Sequence, residues 1–412
     1  MGAGALPAGD LDPGAIARAR EAGRGLVRHT PALSSRTIAS RCGAPAVTLK
    51  AENLQRTGSF KLRGALAKLA ALGDAAKKGV VTGSAGNHAQ SLAYAARARG
   101  VRCEVFMPEG ASIAKADSAA DLGAHVRVIE GTVDDCIAAA RERAREGGMA
   151  FVHPFDDPDV IAGQATLGLE LLEDVEDLAK VVVPVGGGGL ACGVAMAVKA
   201  ARPAVEVVGV QAEVCAPFVE SLRRGEPVPA SSALTIADGI AVKAPGVLTL
   251  GLAERWLDGV ETVGEDAVAE AMVVLMERAK LVVEGAGAVG VAALLEGRVG
   301  PGAEGTTVAV LSGGNVDPGL LAAIARRHET ESGRRLVLLT RISDRPGALA
   351  RLLGHVASTG ANLVDVSHVR EGLDLHVRET AVELVLETRG AEHAGAIGSA
   401  LEAAGYAVQV VR

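Results

Sequence analysis

One stretch indicates the fold most directly: Val181-Val182-Val183-Pro184-Val185-Gly186-Gly187-Gly188-Gly189-Leu190. Its apolar, β-branched first half is typical of a strand buried on both faces. The four glycines that follow lead into an alanine-rich helical segment starting near Leu190, which leaves backbone N–H groups free at a helix N-terminus. Such a turn binds phosphate, although a plain tight turn is the alternative. Because no Gly-Lys-Ser/Thr sequence follows, the stretch is not a nucleoside-triphosphate loop.

The same order of a short β-branched run and a longer amphipathic segment recurs on both sides of this stretch. Runs that predict strands lie at residues 46–50, 79–83, 101–107, 126–129, 181–185, 205–211 and 306–311. Segments with helical periodicity lie at residues 60–72, 87–98, 114–122, 132–145 and 319–326. This alternation predicts an α/β fold with mostly parallel twisted sheets covered by helices.

Composition excludes several classes of protein. The 412 residues are 49% apolar and 22% charged, which excludes a disordered chain. Five Phe, two Tyr and one Trp, together with a net charge of −7, argue against a nucleic-acid partner. No apolar run approaches the roughly 20 residues of a membrane span, and residues 1–7 lack the basic and apolar regions of a secretory signal. Five cysteines without a C-x-x-C pair indicate a reducing compartment, so we expect a cytoplasmic protein.

The character of the chain changes near residue 328. Residues 328–334 carry no apolar side chain, which predicts a linker between a domain at residues 1–327 and a second domain at residues 335–412. Beyond the linker the pattern predicts, in order, a strand at 336–340, a helix at 348–358, strands at 361–369 and 377–386, a helix at 391–403 and a strand at 407–411. This βαββαβ order is typical of a ferredoxin-like unit.

A second glycine cluster matches the pattern G-x-G-x-x-G. It is Gly285-Ala286-Gly287-Ala288-Val289-Gly290, after the apolar residues 281–283. In a dinucleotide-binding fold, an acidic residue about 20 positions further on holds a ribose. Here the next strand instead ends in Ser312-Gly313-Gly314-Asn315. A dehydrogenase is therefore disfavoured, and we interpret these glycines as close helix packing near a site.

Two further segments carry chemistry. Ser84-Ala85-Gly86-Asn87-His88 stands between a strand and a helix, where backbone and side-chain donors suit an anion. Lys61 lies near the first turn of another helix. A lysine for a Schiff base, donors for a phosphate and a partner for a ring nitrogen are what pyridoxal phosphate requires. No His, Cys and carboxylate cluster shows ligand spacing, so no metal site is predicted.

Four segments in this order carry a resemblance: residues 59–65, 84–90, 186–190 and 312–315. Together they resemble the threonine ammonia-lyases (threonine dehydratases) of the fold-type II pyridoxal-phosphate family, over about residues 25–325. The resemblance implies a two-lobed catalytic domain with a smaller lobe, at about residues 56–153, inserted in the larger one. The C-terminal unit, with its turn Asp344-Arg345-Pro346-Gly347-Ala348-Leu349, is similar to an ACT regulatory domain.

The resemblance also implies roles for individual residues. Lys61 would form the Schiff base, and Phe60 and Asn87 would contact the cofactor ring and its hydroxyl. The phosphate would be held by Gly186, Gly187, Gly188, Gly189 and Leu190, the pyridine nitrogen by Ser312, the substrate carboxylate by Ser84, Ala85, Gly86, Asn87 and His88, and a regulatory ligand by Asp344, Arg345, Gly347 and Ala348.

The implied reaction is elimination of water from a hydroxy amino acid. Threonine would give 2-oxobutanoate and ammonia, and serine would give pyruvate. Lys61 would remove the Cα proton as general base, and the cofactor phosphate would protonate the departing hydroxyl. A serine at position 312, in place of a carboxylate, does not favour protonation of the ring nitrogen, so elimination is expected over transamination.

Two positions depart from the serine racemases of this family. Those relatives carry a serine directly before the Gly-Asn of the anion segment, whereas this chain has Ala85, which has no ionisable proton. Racemisation is therefore disfavoured. They also bind a divalent cation through a glutamate and a later aspartate; Glu213 matches the first, but Val219 stands at the second. The pattern thus does not favour a cation site.

Other functions stay open at this point. Within the family, the chain could be a serine or 3-hydroxyaspartate dehydratase, and outside it a non-catalytic amino-acid sensor. The expected partners are a hydroxy amino acid substrate, an amino-acid effector at the ACT-like domain and further copies of the chain in a dimer or tetramer. Isoleucine is the family's effector for biosynthetic forms, while catabolic forms respond to other signals.

Overall fold

The structure, a computed structural model, describes residues 12, 14–231, 234–370 and 375–411. The chain divides into two compact units, one ending at Asp317 and the other beginning at Pro318. Each unit is described by itself below. Within the described residues, no helix combines the length and the apolar composition needed to cross a lipid bilayer.

The strands are numbered in chain order. They are β1 Ala32–Ser34, β2 Ala46–Ala51, β3 Val80–Gly83, β4 Cys103–Pro108, β5 Ala124–Ile129, β6 Ala150–Phe151, β7 Leu178–Pro184, β8 Glu206–Ala212, β9 Gly259–Val263, β10 Thr306–Leu311, β11 Arg335–Ser343, β12 Asn362–Val369, β13 Glu379–Glu387 and β14 Val408–Val411.

The α-helices are numbered in the same way. They are α1 Ala15–Ala22, α2 Arg36–Cys42, α3 Lys61–Leu72, α4 Asn87–Ala98, α5 Ile113–Asp121, α6 Val133–Gly147, α7 Pro158–Asp174, α8 Gly189–Ala201, α9 Pro217–Arg224, α10 Val247–Trp256, α11 Glu265–Val274, α12 Gly285–Leu295, α13 Pro318–Glu331, α14 Ala348–Ser358 and α15 Ala391–Ala403. A short 3₁₀ turn spans Asp238–Ile240.

The first unit is built on a large sheet with strand order β1-β2-β10-β7-β8-β9. All neighbours are parallel except β1, which pairs antiparallel with β2. The central strand β10 is buried at every residue, as its unbroken apolar run predicts. The predicted α/β fold with parallel sheets is therefore confirmed.

Helix α12 carries the second glycine cluster and packs closely against the large sheet. A Cβ at Gly287 would lie 2.8 Å from the Gly313 carbonyl oxygen, and a Cβ at Gly290 would lie 3.4 Å from the Val182 side chain. Gly287 and Gly290 therefore let the helix backbone approach the sheet and the end of β10, while a Cβ at Gly285 would overlap the Ile236 carbonyl oxygen. This confirms the interpretation of the cluster as close helix packing.

A second, smaller sheet has the order β5-β4-β3-β6 and is parallel throughout. Its strands lie in the sequence between β2 and β7. A separate apolar core forms around it, including Leu66, Leu92, Val105 and Met107. Helix α6, which contacts this sheet, starts at a capping box in which Thr132 and Asp135 satisfy each other's backbone N–H groups.

The second unit has an antiparallel sheet of order β12-β13-β11-β14, with α14 and α15 contacting it and each other. Its core includes Leu338, Leu352, Val382 and Leu401. The predicted βαββαβ order is confirmed.

The predicted linker at residues 328–334 is wrong in its first part, because α13 continues to Glu331. The segment lacks apolar residues, yet an ion pair between Arg327 and Glu331 four residues apart supports a helix. The helix is followed by Gly333 with a φ of +69°. Since α13 contacts β11, the boundary between the two compact units falls before this helix rather than after it.

Candidate active site

A cavity opens beside the N-termini of α3, α4, α8 and α12. The cavity is lined by all nine residues that the sequence assigned to a cofactor: Phe60, Lys61, Asn87, Gly186, Gly187, Gly188, Gly189, Leu190 and Ser312. Residues separated by as much as about 250 positions in the sequence thus converge on one site.

The four glycines form the turn between β7 and α8. Gly188 has a φ of +90°, and a Cβ there would lie 2.5 Å from the Phe218 ring. A Cβ at Gly187 would overlap the ring of Phe155. Among the described residues, no side chain caps the N-terminus of α8. Backbone N–H groups of its first turn are therefore available to an anion in the cavity.

Lys61 is the first residue of α3, and its side chain is inside the cavity wall. Its Nζ donates a hydrogen bond to the Pro154 carbonyl oxygen at 2.8 Å and lies 5.2 Å from the centre of the Phe60 ring. Burial lowers the pKa of the Lys61 amine to about 8, while the negative charge of Glu284 opposes this change. About a tenth of the amine is therefore neutral, and nucleophilic, at pH 7.

The loop before Lys61 is joined to the end of β10 by backbone hydrogen bonds. The Phe60 N–H donates to the Ser312 carbonyl oxygen at 3.1 Å, and the Gly314 N–H donates to the Gly58 carbonyl oxygen at 2.9 Å. Gly58 has a φ of +72°, and any Cβ there would overlap Asn315. The positions of Lys61 and Ser312 relative to each other are therefore set by the main chain.

Asn87, the first residue of α4, is held at both ends of its amide. Its Nδ2 donates to Glu284 Oε1 at 2.7 Å, and its Oδ1 accepts a hydrogen bond from Asn315 Nδ2 at 2.7 Å. Glu284, which directly precedes α12, also lines the cavity. Burial raises the pKa of the Glu284 carboxyl to about 7, and the charge of Asp238 adds to this; the Asn87 hydrogen bond and Lys115 oppose it.

The remaining residues of the predicted carboxylate segment lie next to the cavity but not in its wall. Ser84, Ala85 and Gly86 form the turn before α4, where the Ser84 hydroxyl accepts a hydrogen bond from the Gly86 N–H at 3.3 Å. His88 is buried and lies 3.4 Å from the Val152 carbonyl oxygen. Burial, with the nearby charge of Lys61, lowers the pKa of His88 to about 3, so its ring is neutral and offers no positive charge to a carboxylate.

Two residues beyond Lys61, the same helix carries the buried cation Arg63. Arg63 makes paired hydrogen bonds to Glu52, at 2.9 and 2.8 Å, and to Glu170, at 2.7 and 3.0 Å. Lys50 joins this network through Glu170 and Asp174, both at 2.8 Å. Burial disfavours the charged form of Arg63, but the two carboxylates outweigh it and raise its pKa. We call Lys50, Glu52, Arg63, Glu170 and Asp174 the Arg63 network.

The residues predicted for a regulatory ligand lie in the second unit, at the turn before α14. Asp344 pairs with Arg370 at 3.2 Å on the surface. Arg345 donates its backbone N–H to Ser343, and Gly347, with a φ of +83°, directly precedes Ala348 at the start of α14. In the first unit, Glu213 donates its N–H to Val263. Across the described part of the chain, no three His, Cys, Asp or Glu side chains are grouped to hold a metal ion.

Comparisons with known proteins agree with this geometry. Residues 24–313 match the family model described as pyridoxal-phosphate dependent enzyme. The chain belongs to this family.

Relatives with curated names extend the comparison. The L-threonine ammonia-lyase of Thermotoga maritima is 45% identical over 397 residues, which cover 95% of this chain and 98% of the relative. The catabolic L-threonine dehydratase of Escherichia coli K12 is 42% identical over 304 residues, or 73% of this chain and 92% of the relative.

Solved structures show the same fold. A threonine deaminase of tomato, Solanum lycopersicum, matches with a TM-score of 0.70 and 31% identity, covering 77% of this chain and 94% of that one. Maize serine racemase matches with a TM-score of 0.73 and 32% identity, covering 79% and 99%. The chain is thus similar to enzymes with two different activities.

The cavity fits the cofactor of this family. Pyridoxal phosphate needs an amine, a phosphate site and polar partners for its ring, and the cavity offers the amine of Lys61, the free N-terminus of α8 and the side chains of Asn87 and Ser312. Gln164 also lines the cavity, and among the described residues its buried Oε1 has no hydrogen-bond partner. An unpaired buried acceptor is expected in a polar binding site.

Several cavity residues were missed by the sequence reasoning. They include Glu284, Gln164, Pro154 and Phe155. Glu284 had a signal, because it stands between an apolar run and a glycine cluster that opens a helix. Gln164 and Phe155 carried no comparable signal, since only the packing of α7 and the β6–α7 connection brings them to the cavity.

Proposed function

We propose that the protein is a pyridoxal-phosphate-dependent L-threonine ammonia-lyase. It converts L-threonine to 2-oxobutanoate and ammonia, and it also converts L-serine to pyruvate. Cα loses a proton and Cβ loses its hydroxyl, which together leave as water; hydrolysis of the released enamine then gives the 2-oxo acid and ammonia. The observation that carries the proposal is Lys61, a part-buried amine with a lowered pKa in the wall of a cavity that also holds an uncapped helix N-terminus.

The cofactor supplies an electron sink for the negative charge that develops at Cα. Its phosphate would be held by the backbone of Gly186–Gly189 and Leu190, at the positive end of the α8 dipole. Ser312 would face the ring nitrogen and Asn87 the ring hydroxyl, with Phe60 against the ring. All these groups line the same cavity.

Lys61 has two tasks in this scheme. It would bind the cofactor, and once its amine is free again that amine would take the Cα proton of the substrate. Both tasks need a neutral amine, and burial supplies it by lowering the pKa to about 8. The Pro154 carbonyl oxygen, 2.8 Å from Nζ, keeps the amine in the cavity wall.

The substrate carboxylate is assigned to residues 84–88. The backbone N–H groups at the start of α4 provide positive partial charge, and the neutral His88 ring leaves only its backbone for this purpose. Ala85 provides no proton donor to the opposite face of Cα, which supports elimination over racemisation even though a serine racemase is among the structural neighbours.

The C-terminal unit is proposed to be an ACT-like regulatory domain that binds an amino-acid effector at Asp344, Arg345, Gly347 and Ala348. Its βαββαβ order supports this assignment. The enzyme is further proposed to be cytoplasmic and to assemble as a homo-dimer or homo-tetramer.

Catalysis is tested with purified holoenzyme. The wild type should be yellow and should release 2-oxobutanoate from L-threonine, with kcat/KM for threonine above that for serine and 3-hydroxyaspartate. Lys61→Ala should lose the colour and the activity, whereas Lys77→Ala, which removes an exposed lysine of the same unit, should keep both. A preference for serine or 3-hydroxyaspartate would replace the proposed substrate, and full activity of Lys61→Ala would overturn the assignment.

Regulation is tested on the full chain with isoleucine as probe. We expect isoleucine to change the threonine saturation curve of the wild type, and Asp344→Ala to weaken that response without altering the activity measured in its absence. An unchanged response in Asp344→Ala would contradict the assigned effector site.

A further inference from the structure

Glu284 differs in its partners from Glu52 and Glu170, the buried carboxylates of the Arg63 network. Its side chain is only 3% exposed. Within the described residues it makes no ion pair; its carboxylate accepts hydrogen bonds from the Asn87 side chain and from the Asn315 backbone N–H. A buried negative charge that has only neutral donors is poorly compensated. The Glu284 carboxylate therefore takes up a proton more readily than an exposed glutamate does.

The main chain makes room for this carboxylate. A Cβ at Gly313 would overlap Glu284 Oε1, and a Cβ at Gly239 would lie 3.3 Å from the same oxygen. The Glu284 N–H donates to the Gly313 carbonyl oxygen at 3.1 Å. The carboxylate is therefore held by backbone from two connections, one after β10 and one before α10, and it has little freedom to move away from Asn87.

The contacts of Asn87 determine which way its amide faces. An ionised carboxylate only accepts hydrogen bonds, so the Asn87 NH₂ group must face Glu284. The Asn315 NH₂ group only donates, so the Asn87 carbonyl oxygen must face Asn315. One N–H of Asn87 is used by Glu284, and because Asn87 lines the cavity, the other is left for an occupant.

We propose that Glu284 is a positioning residue for the elimination reaction: its carboxylate holds the Asn87 amide toward the cofactor ring through a charge-assisted hydrogen bond, and uptake of a proton by Glu284 weakens that hold. The proposal rests on the proposed function, because it assigns Asn87 to the ring hydroxyl. A neutral carboxyl group is a weaker acceptor than a carboxylate, so the Asn87 side chain is then held less tightly. Asn315, itself held by the Thr57 carbonyl oxygen, keeps the Asn87 amide in the same orientation in both states.

Charged groups on the surrounding elements set where this proton is taken up. Asp238, in the 3₁₀ turn, disfavours the carboxylate, while Lys115 of α5 favours it. Lys61 of α3 also interacts with the Glu284 charge. Lys115 and Asp238 form an ion pair at 2.5 Å, so the two opposing charges lie together on one side of Glu284. Since burial raises the pKa of Glu284 to about 7, the change falls in the neutral range.

The decisive experiment compares wild-type holoenzyme with Glu284→Gln. The kcat for L-threonine and the visible absorption of the bound cofactor are both measured from about pH 5.5 to 9. In the wild type, kcat and the absorption should change with a midpoint near pH 7 and kcat should be higher on the alkaline side. Glutamine keeps the shape of glutamate but is always neutral. Glu284→Gln should therefore lose this midpoint and lower kcat at pH 8 by about 10- to 100-fold, with KM changed less than about threefold.

Two neighbouring variants test the same idea without altering the site itself. Asp238→Asn removes a negative charge and should move the midpoint to lower pH. Lys115→Met removes a positive charge and should move it to higher pH. Glu261→Gln, which removes an exposed carboxylate on β9, is the matched control and should leave the midpoint in place. If Glu284→Gln does not fold, the Asp238 and Lys115 variants still test the role of Glu284.

The proposal is overturned if Glu284→Gln keeps the wild-type kcat and pH midpoint, or if the Asp238 and Lys115 variants do not shift the midpoint in opposite directions. The spectroscopic titration needs no turnover. If the wild type binds the cofactor but does not act on threonine, the proposed function fails, and the absorption midpoints of the same variants still decide the role of Glu284.

Discussion

Lys61 and Arg63 stand two residues apart at the start of α3, and their surroundings are opposite. Lys61 is part-buried in the cavity wall, whereas Arg63 is fully buried. Arg63 is bound by Glu52 and Glu170 through four hydrogen bonds, and these carboxylates raise its pKa. Lys61 has one carbonyl oxygen as hydrogen-bond acceptor, and burial lowers its pKa to about 8. One turn of helix thus carries a fixed charge on one face and a reactive amine on the other.

Two buried carboxylates, Glu170 and Glu284, show the same contrast between a paired and an unpaired group. Glu170 is buried, but the charges of Arg63 and Lys50 outweigh the effect of burial and lower its pKa. Glu284 has amide partners only, and its pKa is raised to about 7. Among these four groups, pairing therefore decides which stay ionised, and the two without an ion pair in the described part of the chain, Lys61 and Glu284, line the cavity.

The largest effect is expected from removing Arg63, the central cation of the Arg63 network. Arg63→Met keeps most of the side-chain volume but leaves Glu52 and Glu170 buried without their common partner. Loss of one member of a buried ion pair costs about 3–5 kcal/mol. Urea denaturation at pH 7 should show a loss of this size in the free energy of unfolding; a loss below about 1 kcal/mol would mean that the network contributes little.

The next effect concerns the reactivity of Lys61. An amine with a pKa of about 8 is neutral about 230 times more often at pH 7 than an ordinary lysine with a pKa of about 10.4. The rate constant for capture of pyridoxal phosphate by the cofactor-free protein should rise about tenfold per pH unit below pH 8 and level off above it. Stopped-flow absorption measures this; a rise that continues to pH 10 would contradict the lowered pKa.

A third prediction concerns the stability of Glu284→Gln. The Glu284 pKa is raised from 4.5 to about 7, so between these values the folded protein binds a proton that the unfolded chain does not. Wild-type stability therefore falls as pH rises through this window. The variant has no such loss, so its free energy of unfolding should rise by up to about 3 kcal/mol relative to that of the wild type between pH 5 and pH 8. Thermal unfolding at both pH values measures it; a constant difference would exclude the raised pKa.

The paired carboxylates should behave in the opposite way. The pKa of Glu170 and that of Asp174 are lowered, so their stabilising effect is present at neutral pH and is lost on acidification. Glu170→Gln should therefore be most destabilised at pH 7 and approach the wild type at low pH. The same thermal scans provide this comparison.

The smallest effect is expected at the surface. Arg20 and Glu173 form an ion pair at 2.6 Å with both side chains about half exposed. Exposed pairs contribute about 0–1 kcal/mol, so Arg20→Met should change the free energy of unfolding by less than about 0.5 kcal/mol. This variant is the matched control for Arg63→Met, and a loss of similar size in both would remove the distinction between the two kinds of charge.

Much of the architecture could be predicted from sequence because it depends on local pattern. Asn87–Ala98 and Ala391–Ala403 were predicted to the residue, since their periodicity and flanking residues are clear. The helical end of α13 was missed because its polar residues are typical of linkers as well as of exposed helices. Its contact with β11, which an isolated segment does not reveal, places it in the second unit.

The candidate site likewise has features that could be predicted from sequence and features that could not. Glycine turns and the residues that follow strands could be placed because parallel strands bring their ends together. The contacts of Glu284 and of the Arg63 network are with residues between 11 positions away, for Glu52 and Arg63, and 197 positions away, for Asn87 and Glu284. Whether a buried charge is paired is a property of packing, so neither the lowered pKa of Lys61 nor the raised pKa of Glu284 could be read from the sequence.

The backbone ladder between residues 58–60 and 312–314 also has a consequence for biosynthesis. It joins segments about 250 residues apart, and it places Lys61 beside Ser312. Chain synthesis proceeds from the N-terminus, so a nascent chain that ends before Ser312 has the lysine but lacks the strand end that completes its surroundings. Cofactor capture at a complete site must therefore wait until nearly the whole first unit has left the ribosome.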